Sequence, residues 1–377
     1  MRKSTATIFA TILLIGLILP LFQMRRKPYI REIPLTGVEE DKQRAQLRAE
    51  NWFSGDYQKS TEEYFAAKIG FRGFLTRTYN SFRFYIFGIT AGDAQPGEEN
   101  FLFDHESIGN FNATLIEDQK SVRTQLETRI RNIAKLQKSL ESDGIGFLLL
   151  IAPLKSSLYG NFIPASRILS RRETRKSAYE LAIPLLEKSG IRYFDARAFL
   201  IERQKTDNRP FFHRGGAHWN YYAVCLVLNE ISIRERRGLS RLSCEPVQYR
   251  EEPVPPDSDL AELTNLWSLK PFYHRTAYPL NLTLTNANEI KPSVLIVGDS
   301  FSNLLFIEAE QAGLFSGRDF YYYFQSNVQK DWSRKPIEKE NLRAAVRPHN
   351  LVIIEIPESR LADAGYGFVE SYLNSDH

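Results

Sequence analysis

The sequence predicts an α/β fold, a three-layer domain with a mostly parallel sheet covered by helices on both faces, preceded by a single N-terminal transmembrane helix. Three observations carry this reading. Short, continuously apolar stretches ("GFLLLIA", "SVLIVG", "NLVIIEI") read as strands buried on both faces. Amphipathic helical patterns alternate with them along the chain. The chain also opens on an uncharged segment from Ser4 to Met24, about the ~20 residues that cross a bilayer.

The N-terminal stretch "MRKSTATIFATILLIGLILPLFQMRRKPY" has basic ends and no small-x-small cleavage site before Arg25, so residues 1–27 read as an uncleaved signal anchor, with a cleaved signal peptide as the alternative. Pro20 kinks or ends that helix near its far end. Arg2 and Lys3 on one side face Arg25, Arg26 and Lys27 on the other, so the positive-inside rule barely orients it. Residues 28–110 read as a juxtamembrane helical region packing on the main domain. In it "TEEYFAAKIGFRGFLTRTYNSFRFYIFGITA" mixes aromatic and basic residues at helical spacings. Two readings of that stretch stand, an amphipathic helix packed on protein and a helix on a membrane surface. "AGDAQPGEENFLF" is a turn leading to a short strand.

Residues 111–377 read as the main domain. Val122, Leu126, Ile130, Ile133, Leu136 and Leu140 recur at three and four residues, the stripe of a long helix. "GIGFLLLIAPLKSSLYG" is a buried strand stopped by Pro153. A helix over 172–188 leads to a strand "IRYFDARAFL", and a helix carries Val224, Val227, Leu228 and Ile231 on one face. An irregular, Pro-rich stretch covers 250–290. Last come the strand "SVLIVGDSF", a helix after Ser300, the strand "DFYYYFQS" and the strand in "NLVIIEIPESR".

Composition excludes several classes. Of 377 residues, 43% are apolar and 25% charged, which suits a folded chain with a large core. A net charge of +4 without a Lys/Arg block gives no footprint for nucleic acid. No CxxC or HExxH pattern occurs, so neither a metal site nor a cofactor is expected. Cys225 and Cys244 are able to pair in an oxidising compartment, but sequence alone does not bring them together. The 25 Phe and 18 Tyr supply aromatic faces for a core or for sugar rings.

The chemistry centres on "VGDSF" and "FFHRGGAHWN". Gly298-Asp299-Ser300 ends an apolar strand on a tight turn into a helix. One reading is a serine N-cap. The other is a nucleophile at the carboxyl edge of the sheet, where the helix mouth offers backbone N–H groups and a positive dipole end to an oxyanion. Such a hydroxyl needs a base. His218 sits on a Gly-rich loop before Trp219 and Asn220, and Asn220 is placed to cap the next helix. His213 is a second imidazole nearby. Lys155 and Tyr159 follow another strand end and, with Trp219 and Asp299, are candidates to line the cleft or hold the oxyanion.

Four stretches in order, "KIGFRGFL…FRFYIFGI", "LLLIAPLKSSLYGNFIP", "GGAHWNYYA" and "VLIVGDSF", resemble the alginate O-acetyltransferase family (AlgX/AlgJ); "SDLAEL" and "LVIIEIPESRL" fit the same pattern. The resemblance covers most of residues 60–362. It implies a permuted SGNH-hydrolase-like fold, with the histidine before the serine in the chain. It implies Ser300 as the acyl-accepting nucleophile and His218 as its base. The acceptor would be hydroxyls of an alginate-like exopolysaccharide or cell-wall glycan, and the acetyl donor would act through a membrane-bound O-acyltransferase. The domain would sit in the periplasm, tethered to the bacterial inner membrane. The family's third group is an aspartate two residues before the histidine, and here that position is Gly216. Asp207 and Asp259 are other carboxylates in the chain, and sequence places neither at His218. The expectation is therefore a Ser-His dyad, with an inactive descendant as the other reading. A carbohydrate acetylesterase and a non-catalytic glycan-binding or assembly subunit of an export complex are the competing functions.

Overall fold

The computed structural model describes residues 2–25, 32–37, 42–169, 174–234, 240–280, 282–284 and 291–375. The chain forms two compact units, Met1–Ala94 with Ala261–Leu269, and Gln95–Leu260 with Lys270–His377.

In the first unit, α1 (Arg2–Arg25) is a long apolar helix with Pro20 inside it. Its segment Thr7–Met24 has a mean hydropathy of 2.2 and is long and apolar enough to cross a bilayer. Arg26 and Lys27, which flank it in sequence, lie outside the described residues. Helices α2 (Asp56–Lys68) and α3 (Arg72–Phe87) follow, separated by a turn at Gly70.

The second unit is built on a seven-stranded sheet. Helix α4 (Gln119–Ser142) starts where the Asp118 carboxylate accepts the amides of Lys120 and Ser121. It leads to β1 (Gly146–Ala152), which stops at Pro153. Helix α5 (Ala178–Ser189) begins with a reciprocal capping box between Ser177 and Glu180. The helix expected from 172 thus starts at Ala178, and residues 172–173 lie outside the described set.

The stretch 191–200 departs from the single strand expected of it. Only β2 (Tyr193–Asp195) pairs with the sheet. Asp195 then accepts the Ala198 amide at 2.9 Å and starts α6 (Ala196–Gln204). The cap breaks the strand, because an Asx side chain that satisfies a helical N–H commits the next residues to helix.

Helix α7 (Tyr221–Arg234) is followed, after the irregular stretch, by β3 (Ser293–Gly298), α8 (Ser302–Gln311), β4 (Gly317–Tyr322), β5 (Ser326–Val328), β6 (Arg334–Pro336), β7 (Leu351–Pro357) and α9 (Phe368–Asn374). The sheet order is β6-β5-β4-β3-β7-β1-β2. β2, β1, β7, β3 and β4 run parallel, and β5 and β6 continue antiparallel at one edge. The expected strand 319–326 therefore turns at Tyr323-Phe324, both with positive φ, and comes back as β5.

Alternating residues of the central strands enter two cores. Leu148, Leu150, Ile296 and Ile353 face α6, α7 and α8; Leu149, Ile151, Leu295, Val297 and Ile354 face α4, α5 and α9. Burial on both faces is why these strands are apolar without interruption. Cys225 in α7 is joined to Cys244 by a disulfide, which ties that helix to the start of the irregular stretch.

Replacing Cys244 by Ser should cost about 2–4 kcal/mol of stability, since the bridge closes a short loop in the unfolded chain. Urea unfolding of the variant against the oxidised parent checks this. An unchanged midpoint would mean that packing alone fixes α7.

Candidate active site

Ser300 lies where β3 gives way to α8. A side chain at Gly298 would sit 2.7 Å from the Glu355 carboxylate and 2.2 Å from the Ser302 hydroxyl, so only glycine lets β7 bring that carboxylate beneath the turn. Glu355 accepts the Asp299 amide at 3.2 Å and the Ser302 hydroxyl at 2.8 Å. Asp299 in turn accepts the Phe301 amide at 2.9 Å and the Tyr366 hydroxyl at 2.8 Å. Burial raises the pKa of both carboxyls, that of Glu355 well above the carboxylate range with Asp299 adding to it. Asp299 thus shapes the turn and does not line a cleft.

Ser300 is not a cap. Phe301 occupies that position before α8, with no side-chain cap bond. The Ser300 hydroxyl instead lies 2.7 Å from His218 Nε2. The other ring nitrogen, Nδ1, bonds to Asp259 Oδ2. A carboxylate only accepts, so Nδ1 carries the hydrogen and Nε2 is left to accept from Ser300.

The dyad expectation is therefore corrected, because a carboxylate does reach the ring, from the first residue of a short helix (Asp259–Leu263) 41 residues downstream. Asp259 also accepts the amides of Ala217 at 2.8 Å and Leu260 at 2.6 Å. Burial works to raise its pKa, but the His218 ring and those amides outweigh it and hold the carboxyl below its usual range. For His218 the balance is reversed. Burial lowers its pKa, Asp259 overcomes that, and the net shift is upward.

Gly216 leaves no room for a side chain at the position where the resemblance implies an aspartate. A Cβ at this position would meet the Asp257 carbonyl oxygen at 2.5 Å and its carbon at 3.1 Å. The segment that delivers Asp259 crosses over the backbone where the family's aspartate would stand. One site cannot hold both, and the chain has the carboxylate from the other side.

Trp219 is fully buried, and its indole N–H donates to the Phe301 carbonyl at 3.0 Å. It fastens the histidine loop to the serine turn and is not a cleft residue. The His218 ring packs edge-on against Phe301 at 4.7 Å. Asn220 caps α7 by accepting the Ala223 amide at 2.9 Å.

Lys155 and Tyr159 also leave the cleft. Lys155 is completely buried, and its Nζ donates to the carbonyls of Leu102 (2.8 Å), Arg214 (2.7 Å) and Gly216 (2.7 Å). Desolvation brings its pKa down to about 7, against the opposing pull of Asp259. Tyr159 is buried against Phe101, and its hydroxyl accepts the Phe211 amide at 3.0 Å. Both shape the histidine loop from behind, because a loop without ladder partners must find donors and acceptors elsewhere.

His213 is buried and accepts the Gly215 amide at 3.1 Å; burial pushes its pKa down to about 3, so it stays neutral and structural. Asp207 bonds Arg209 at 2.7 Å and the Tyr222 hydroxyl at 2.7 Å. Burial would raise its pKa, yet those donors take it down to about 2.

One residue that sequence reasoning missed is Tyr323. Its hydroxyl faces that of Ser300, and its amide donates to the Gly298 carbonyl at 2.8 Å. A positive φ of 49° at a tyrosine is strained backbone of the kind held at functional sites. No motif marks it in the sequence.

Residues 95–318, more than half of the chain, match the family described as the SGNH hydrolase-like domain of the acetyltransferase AlgX. Among solved structures, the O-acetyltransferase domain of Pseudomonas putida AlgJ is similar at 18% identity and a TM-score of 0.46, over 71% of this chain and 92% of that one. Bacillus cereus PatB1 with a sulfonyl adduct is similar at 11% identity and 0.45, over 71% of this chain and 97% of that one. Pseudomonas aeruginosa AlgX is similar at 13% identity and 0.43, over 74% of this chain and 67% of that one. No curated protein matches the chain.

Putting the aspartate back, as Gly216→Asp, should destabilise the protein by about 1–3 kcal/mol, the usual cost of overpacking against backbone. Thermal unfolding of Gly216→Asp and Gly216→Ala measures this. An unchanged midpoint in both would show that the 254–258 segment yields freely.

Proposed function

The chain belongs to the AlgX family of SGNH hydrolase-like acetyltransferases, and from that premise we propose that Ser300, His218 and Asp259 are its acyl-transfer triad. The contact that carries the reading is the 2.7 Å bond between Ser300 Oγ and a His218 ring whose opposite nitrogen is held by a carboxylate.

In the first half of the reaction, Ser300 Oγ attacks the carbonyl carbon of an acetyl donor while His218 Nε2 takes the serine proton. The tetrahedral intermediate collapses, the donor's leaving oxygen takes that proton from His218, and acetyl-Ser300 remains. In the second half, a sugar hydroxyl gives its proton to Nε2 and attacks the acetyl carbon. Ser300 leaves as its alkoxide and recovers the proton. Asp259 remains ionised throughout, fixing the tautomer and stabilising the imidazolium. The Ser300 amide, at the mouth of α8, and the Tyr323 hydroxyl are placed to donate to the oxyanion.

The acceptor in this reading is a hydroxyl of a polysaccharide or cell-wall glycan, and the acetyl group arrives through a membrane-bound O-acyltransferase. Helix α1 serves as the anchor. Its 24 residues rise about 36 Å, enough for the hydrocarbon core, so the catalytic unit works beside a membrane, in the periplasm. A non-catalytic reading rests on the missing aspartate at Gly216; the Asp259 carboxylate on His218 Nδ1 supports the catalytic one.

Ser300→Ala and His218→Ala should each lower acetyl transfer by at least about 10³-fold, the scale seen when a triad member is deleted. Release or transfer of acetyl from a chromogenic acetyl ester reads this, and near-parental rates in either variant would sink the assignment. Asp259→Asn should lower kcat by about 10²–10⁴-fold. It should also shift the pH profile. Activity needs neutral His218, so it rises with pH through the imidazole pKa, which Asp259 holds up. Without that charge burial dominates, and the acid limb should move to lower pH. A limb that stays in place would show that Asp259 does not set the ring's pKa.

A further inference from the structure

Helix α3 is inside out. Its buried residues are Gly73, Arg77, Asn80 and Ser81. Each polar one has a partner within its own unit. Arg77 donates to the carbonyls of Ile33 (3.0 Å) and Pro34 (2.9 Å), Asn80 to the Thr264 carbonyl (2.9 Å), and the Ser81 hydroxyl accepts the Trp267 amide (3.1 Å). The outward face carries Leu75, Tyr79, Phe82 and Ile86, spaced as one stripe, with Phe74, Tyr85 and Phe87 beside it. All seven side chains are between 51% and 62% exposed. A water-facing helix has the opposite arrangement, and a contiguous apolar patch of this size marks a surface made for another medium.

We propose that α3 lies in the interface of an anionic lipid bilayer with this aromatic face turned into the acyl chains, a second membrane contact independent of the acyl-transfer reading. Charge supports lipid over a protein partner. From Tyr64 to Gly92 there is no acidic residue, while Lys68, Arg72 and Arg83 stand among the aromatics in addition to the inward-turned Arg77. Basic and aromatic side chains together are the composition of an interfacial helix, with the cationic heads reaching the phosphates. Continuity supports it as well. The Gly70 amide, just before α3, donates to the Pro20 carbonyl of α1 at 3.1 Å, so the helix sets off from the far end of the apolar N-terminal helix. Between the two runs an apolar crevice of about 620 Å³, lined by Leu19, Pro20, Ile33, Phe71, Phe74 and Trp267. That is room for lipid chain.

The test uses the full chain reconstituted in vesicles of phosphatidylethanolamine and phosphatidylglycerol. Both cysteines are in the disulfide, so Phe82→Cys, Ile86→Cys and, on the exposed part of α2, Lys59→Cys each give one labelling site for an environment-sensitive fluorophore. Quenchers attached to the acyl chains should dim the probes at 82 and 86 at least about two-fold more than the probe at 59, which lies on a different helix of the same unit. Equal quenching at the three sites overturns the proposal. So does shielding of 82 and 86 that appears only in native membranes and not in pure lipid, since a protein would then cover the face. Circular dichroism of each labelled variant confirms that the helices are intact.

Discussion

The candidate site depends on two loops being held together at the carboxyl edge of the sheet. The Trp219 indole reaches the Phe301 carbonyl, and the His218 ring sits on the Phe301 ring, so the histidine loop and the serine turn share one anchor. Given that anchor, the Ser300–His218 bond is short without any further demand on the loops. A hydrogen bond of this kind is worth little alone in water, but it is fixed here by buried contacts on both sides. Proximity of Ser300 to His218 is then a property of the fold, set before any ligand arrives.

Much of this is legible in the sequence, for a physical reason. Strands buried on both faces must be apolar throughout, so "GFLLLIA" and "SVLIVG" announce the sheet, and the glycine after a strand announces the turn. Asn220 is recognisable as a cap because capping is local. What escaped is non-local. Asp259 stands in an irregular, Pro-rich stretch with no periodicity to place it, and only the packing of residue 257 on Gly216 shows why it must come from there. Lys155 after a strand end looks like a cleft residue, since nothing in one dimension tells a buried ammonium from an exposed one. The strand expected over 191–200 failed for the opposite reason, a local cap at Asp195 overriding an apolar pattern.

The electrostatics around the site follow from burial more than from net charge. Glu355 and Asp299 lie under the serine turn, and Asp257 and Glu308 are also buried. Desolvation takes Asp257 up to about 8 and Glu308 well above the carboxylate range. Asp259 is the exception. It has the imidazole and two amides, and so among these acids it is the one held below its usual range. The contrast sets Asp259 apart from the acids around it. Asp259 is favoured in its charged form beside His218, while burial pushes its acidic neighbours the other way.

One device recurs at several points among the described residues. Backbone carbonyls are met by buried side-chain donors: Lys155 for Leu102, Arg214 and Gly216, Trp219 for Phe301, Arg77 for Ile33 and Pro34, Asn80 for Thr264. Backbone polar groups must be satisfied when buried, and a long donor reaching inward satisfies several at once. In the second unit this fixes the loops that carry Ser300 and His218. In α3 it has a second consequence, because committing the polar residues to the inside leaves mostly apolar ones for the outside. The sequence there is not a failed amphipathic helix. Its pattern is that of a helix whose protein neighbours are polar backbone and whose other neighbour is not water.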